Sequence, residues 1–230
     1  IEKLKLKNDE NDRRRQIYSQ LLGNRILLSQ SYNSYYSCFI QLANDYSYCL
    51  LGTLLAKVKG KLVQDDINRY MNNSISCQEA KITKTKYENL QPEIAKNSSR
   101  MWETIGLIQV LFPDVPVKID ELINQIKEID KKFADLEMKI KSDEKIKLNF
   151  VDEFEEKYSG AIVPQERDLN NWSKEKLKVI ENWSDEKESN LKVLIDELEK
   201  PIDHLLDEML KVLKDERSVP DVMGGHPIIF

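Results

Sequence analysis

Two histidines are all the imidazole the chain has, and both lie after residue 200. His204 stands one helical turn from Asp207 and Glu208, and His226 lies near Asp221. A metal centre needs three or four clustered ligands at fixed spacing. Neither group has a second ligand pair, so no metal and no cofactor are expected. Cysteines stand at Cys38, Cys49 and Cys77, with gaps that match no zinc pattern. An odd count without a CxxC pair predicts reduced, buried thiols in an intracellular setting, in the cytoplasm or on an organelle surface. Cys38 and Cys49 fall in an apolar stretch that should keep them protonated and inert as nucleophiles. The carboxylate pairs Glu155-Glu156 and Glu197 with Glu199 sit among lysines, as solvated faces do. With 7 glycines in 230 residues there is no phosphate-cradling loop. These residues predict a chain that is not an enzyme, with no catalytic group.

Binding chemistry is represented by two basic clusters, Arg13-Arg14-Arg15 and Lys57, Lys59 and Lys61. They are candidates for an anionic surface. Nucleic acid is not expected, because the clusters are small and the chain carries 35 basic against 40 acidic residues, net −5. The charge is uneven: residues 1–112 hold 16 basic and 11 acidic side chains (+5), residues 113–230 hold 19 and 29 (−10). Asn171-Trp172-Ser173 and Asn182-Trp183-Ser184 fit the glycosylation sequon, but both lie in a helical pattern with Trp turned inward.

Those residues must be positioned by helices. Charged residues make up 33% and Gly is scarce, which suits long helices with solvated outer faces. No run of 18 uninterrupted apolar residues suggests a membrane span. Prolines and glycines divide the chain into four helical stretches and a tail. The first, from about Glu2 to Lys59, carries Leu21, Leu28, Tyr35, Leu42, Cys49, Ala56 and Val63 on one heptad stripe. Tyr18, Tyr32, Phe39 and Tyr46 form the other. Only Asp45 is charged between Ile26 and Ala56, so this segment should be the most buried. The second stretch, from about Asp65 to Phe112, is capped by Asp65 or Asp66 and kinked or split at Pro92. Asp114 is the expected N-cap of the third, whose seam runs Ile119, Leu122, Ile126, Ile129, Phe133, Leu136, Ile140. That seam breaks at Ser142-Asp143-Glu144-Lys145 and resumes at Ile146, Phe150, Phe154 and Tyr158. Gly160 is a stop signal. The fourth stretch, from about Gln165 to Arg217, repeats every eleven residues: Trp172, Trp183, Leu194, Leu205 on one stripe and Leu169, Ile180, Leu191, Ile202, Leu213 on the other. Pro201 lies off both and should bend the helix without ending it.

The expected fold is therefore all-α, an elongated bundle of about four long helices with coiled-coil-like packing. Residues 1–112 would form an N-terminal helical hairpin, 113–217 a C-terminal one, and 218–230 an extended tail. The expected function is that of a helical scaffold or assembly subunit that associates with itself or with other helical proteins. Leu28, Tyr32, Tyr35, Phe39, Leu42, Tyr46, Trp172 and Trp183 are its candidate interface residues. Subunits of kinetochore, tethering, cytoskeletal and organelle-organising complexes look similar at this level. Helices of fifty or more residues, an apolar first helix and basic clusters near helix ends also resemble the dimeric BAR superfamily in outline. That resemblance implies a first helix buried in a dimer core, and a curved basic face, here Arg13, Arg14, Arg15, Lys57, Lys59 and Lys61, against an anionic membrane.

Overall fold

The computed structural model describes residues 2–58, 74–158 and 166–218. Five helices are described: α1 (Glu2–Val58), α2 (Ile75–Leu111), α3 (Ile119–Ser142), α4 (Glu144–Tyr158) and α5 (Glu166–Ser218). No strand occurs among the described residues. The architecture is the expected all-α bundle, with five described helices where about four were expected. The extra one arises at Asp143, where the broken seam separates α3 from α4. Asp65, Asp66, Lys59, Lys61, Val63, Gly160, His226 and the tail from residue 219 lie outside the described residues.

Side-chain contacts fix the topology. Down α1 and up α2 run Arg14 over the Phe112 ring, Asn24 to Thr104, Tyr35 to Tyr87 and Cys49 to Cys77. These helices are antiparallel. α5 is also antiparallel to α1, since Arg25 meets Asp203 while Asn44 meets Ser184. α3 runs parallel to α1, with Tyr32 bonded to Asp130 and Lys141 over Phe39. The path is up, down, up and down, with α3 and α4 sharing the third limb. At ~1.5 Å per residue, α1 and α5 are about 85 and 80 Å long.

Each helix has its periodicity from apolar spacing, and its ends follow local chemistry. Ser74 caps α2, its hydroxyl accepting from the Cys77 amide at 3.3 Å. α2 then runs unbroken through Pro92. Asp114 is not the cap of α3: Lys118 holds that position without a side-chain bond. Asp120 and Glu121 in the first turn and Lys139 and Lys141 in the last complement the helix dipole instead. α5 continues through Pro201.

Two apolar cores lie in series. The larger joins α1, α2, α3 and the C-terminal half of α5, with Leu21, Ile40, Ile105, Phe133, Leu205 and Met209 at its centre. It draws on both the 1–112 and 113–217 segments. The smaller gathers Leu51, Leu54, Phe150, Phe154, Leu169, Trp172 and Ile180 from α1, α4 and the start of α5. A polar layer separates them. Asn44 donates to Ser184 at 2.7 Å, and Asp143 accepts from the Trp183 indole at 2.8 Å and the Lys187 ammonium at 3.0 Å.

The eleven-residue repeat is a structural unit in its own right. In each copy a lysine four residues after the tryptophan lies over that ring, Lys176 on Trp172 at 5.9 Å and Lys187 on Trp183 at 5.9 Å. Each lysine is buried and pairs with a carboxylate of the third limb, Glu153 or Asp143. Helical i, i+4 geometry brings ring and ammonium together, and the pairing offsets the cost of burying the cation. The pair with Lys176, above all, holds the Glu153 carboxyl below its usual range.

One expectation about the cysteines is corrected. Cys49 and Cys77 are joined in a disulfide with Cα atoms 4.9 Å apart, and only Cys38 is a free thiol. Helix pairing brought together two residues 28 apart in sequence, with no CxxC spacing to announce it. Burial pushes the Cys38 thiol up. Its Sγ donates to the Thr83 carbonyl at 3.6 Å.

Candidate interaction surface

The candidate interface residues are for the most part engaged within the chain. Leu28, Tyr32, Tyr35, Leu42 and Trp172 are buried, while Phe39 and Trp183 are half-buried. Tyr32, Tyr36 and Phe133 stack with ring centroids 4.5 to 6.2 Å apart, and Tyr35 and Phe39 close on Tyr87 at 4.8 and 5.0 Å. Burial pushes the Tyr32, Tyr35 and Tyr36 phenols well up, so they remain protonated donors. Tyr32 donates to Asp130 at 2.7 Å. Burial pushes the Asp130 carboxyl up, and the Tyr32 bond opposes it. Tyr46 departs from its stripe and is exposed. The first helix is thus covered by its own chain on the faces carrying its heptads. Asp45 is buried too, satisfied by the neutral donors Gln41 at 2.6 Å and Thr83 at 2.7 Å rather than by a lysine or arginine.

Of the two basic clusters, the structure describes Arg13, Arg14, Arg15 and Lys57. Arg14 is buried against Phe112 and bonds Glu10 at 3.1 Å. Arg15 faces Asp12 at 3.6 Å and Lys57 faces Glu155 at 3.7 Å. Arg13 is exposed. Near His204, Glu208 is taken up by Lys211, and no cluster of metal-ligating residues occurs among the described residues. A small pocket lined by Ser47, Ile140, Asp143, Phe150, Val179, Ile180 and Trp183 marks the α3–α4 break. Its carboxylate is already occupied by Trp183 and Lys187.

A different feature emerges on the outer side of α1. Between Gln16 and Ala56 the sequence has two charges, Arg25 and Asp45. Asp45 is buried. Arg25 is drawn sideways onto α5, donating to Asp203 at 2.8 and 2.9 Å and reaching Glu199 at 2.9 Å. Every exposed position in that span is therefore uncharged. Ser19, Ile26, Gln30, Asn33, Ser34 and Gln41, successively one or two helical turns apart save for the adjacent Asn33 and Ser34, share one stripe, with Leu22 and Leu27 at its edges. Gly23 lies on this stripe, and a side chain added there would meet nothing within 4 Å. The solvent faces of α3 and α5 are densely charged by comparison, with Asp135, Lys131, Lys178 and Asp185 exposed. The sequence did contain this signal, a long span poor in charge, but it predicts only burial. Which of its faces would stay open depends on where α2 and α5 dock. No helix among the described residues is long and apolar enough to cross a membrane. No protein-family model, curated protein or solved structure matches the chain.

Proposed function

We propose that the chain is a non-enzymatic helical scaffold, an assembly subunit that associates with itself or with other helical proteins through the outer face of α1. The observation that carries this reading is the absence of charge from every exposed position of α1 between residues 16 and 56, in a chain that is 33% charged. Depletion of charge, more than bulk hydrophobicity, marks the centre of an interface. Lone exposed apolar residues elsewhere need no such explanation. The Cys49–Cys77 bond favours an oxidising compartment in place of the reducing cytoplasm that an odd cysteine count suggests.

The test is site-specific photo-cross-linking of the full chain in the cells that make it. A photoreactive residue at Gln30 on α1 should give discrete adducts with a defined helical protein or with the chain itself. The same probe at Asp135, exposed on α3, should not. Equal, diffuse labelling at both positions would overturn the assignment.

A further inference from the structure

We infer that Asn171 and Asn182, on the solvent side of α5, are N-glycosylation sites, each carrying an oligosaccharide on its side-chain nitrogen. The acceptor pattern Asn-X-Ser occurs at Asn72, Asn97, Asn171 and Asn182. Asn72 lies outside the described residues. In the two α5 copies the inward tryptophan is what leaves the preceding asparagine outside. Ile180 follows Asn171 by nine residues, and Leu191 follows Asn182 by nine. Nine residues are about two and a half turns, so each asparagine lies directly opposite a residue of the buried stripe. Ile180 and Leu191 are 4% and 2% exposed, whereas both asparagines are exposed. Neither asparagine side chain has a hydrogen-bonding partner among the described residues. A glycan is bulky and needs such a surface position. Asn97 differs: it is half-buried, and its amide donates to the Leu27 carbonyl at 3.4 Å.

The second observation is the disulfide. Cys49 and Cys77 are joined, and both are buried. A bond of this kind forms in an oxidising compartment, and the lumen that closes it in a eukaryotic cell is also where Asn-X-Ser meets its sugar donor. The inference rests on that compartment reading. The transfer is a substitution without change of oxidation state. The asparagine Nδ2 bonds to the anomeric carbon of a lipid-pyrophosphate-linked oligosaccharide, the bond from that carbon to the pyrophosphate oxygen breaks, and the amide gives up one proton as the lipid pyrophosphate leaves. Ser184, which completes the second acceptor, is buried and accepts from Asn44 at 2.7 Å. It is reachable only before α5 docks, so Asn182 is modified on the nascent chain. Eleven residues then set the two sugars about 16 Å apart on one stripe of α5. No Asn-X-Ser or Asn-X-Thr occurs between Gln16 and Ala56, so the uncharged face of α1 has no acceptor of its own.

Peptide mapping of the full chain, purified from the cells that make it, tests this. The intact mass should exceed that of the bare polypeptide by at least two oligosaccharides. Treatment with a peptide N-glycosidase, which leaves Asp in place of each occupied Asn, should mark Asn171 and Asn182 and spare Asn97. Asn171→Gln and Ser173→Ala should each remove the same sugar, the first by changing the acceptor nitrogen and the second by changing only the serine. Bare Asn171 and Asn182 in a chain whose Cys49–Cys77 bond is closed overturn the inference and leave the compartment reading standing. Bare asparagines together with three free thiols overturn both. A sugar at Asn97 with Asn171 and Asn182 bare also overturns the inference.

Discussion

Opening the Cys49–Cys77 bond should destabilise the bundle by about 3.6 kcal/mol. The bond closes a loop of 28 residues, and closing it removes about 12 cal/mol/K of chain entropy from the unfolded ensemble. For a chain of this length each kcal/mol shifts the melting temperature by about 2–4 °C, so the loss amounts to about 7–14 °C. The double variant Cys49→Ser/Cys77→Ser and the wild type in reductant should both show it in circular dichroism melts. Cys38→Ser should leave the sensitivity to reductant intact, because that thiol is free. Thiol titration in denaturant gives the direct count. Without reductant one of the three cysteines should react, and after reduction all three should. Three reactive thiols in the unreduced chain, or a melt indifferent to the double substitution, would refute both the pairing and the entropy argument.

Phe133→Ala removes a fully buried ring from the stack with Tyr32 and Tyr36 and should cost about 3–5 kcal/mol in denaturant unfolding. A loss under about 1 kcal/mol would mean that α3 does not dock as described. Asp130→Asn should stabilise the fold near neutral pH. Burial raises the folded-state carboxyl above its unfolded value, so its favourable contribution is complete only in acid, and is lost as pH rises through the raised value. The advantage of Asn should therefore shrink toward zero as the medium is acidified below the ordinary carboxylate range. An advantage that grows in acid would reverse the sign and refute the burial argument.

The long seams were legible in the sequence because one physical rule, apolar spacing, governs them. Leu122, Ile126, Ile129, Phe133, Leu136 and Ile140 are all buried, and so are Leu169, Ile180, Leu191, Ile202 and Leu213 of the eleven-residue stripe. The break at Ser142-Asp143 was visible as a change of phase. What was not legible depends on which helix docks against which. Cys49 finds Cys77 only because α2 runs back along α1. Arg14 looks like surface charge within its triplet, yet it is buried by the end of α2. The eleven-residue spacing says nothing of Lys176 and Lys187, whose ammonium groups are covered by the third limb. The candidate face was half legible: lack of charge could be counted, but not which side of the helix stays open.

An eleven-residue repeat creates a hazard of its own, because α5 presents nearly the same pattern after three turns. A slip of one repeat, about 16 Å along the axis, would offer the opposing helices another Trp–Lys pair and another run of leucines. Arg25 forbids it. In the native alignment it grips Asp203 and Glu199. Eleven residues away in either direction the partner of its main bond would become Lys192 or Lys214, cation against cation. One guanidinium thus favours the native alignment among those a nearly periodic rod offers.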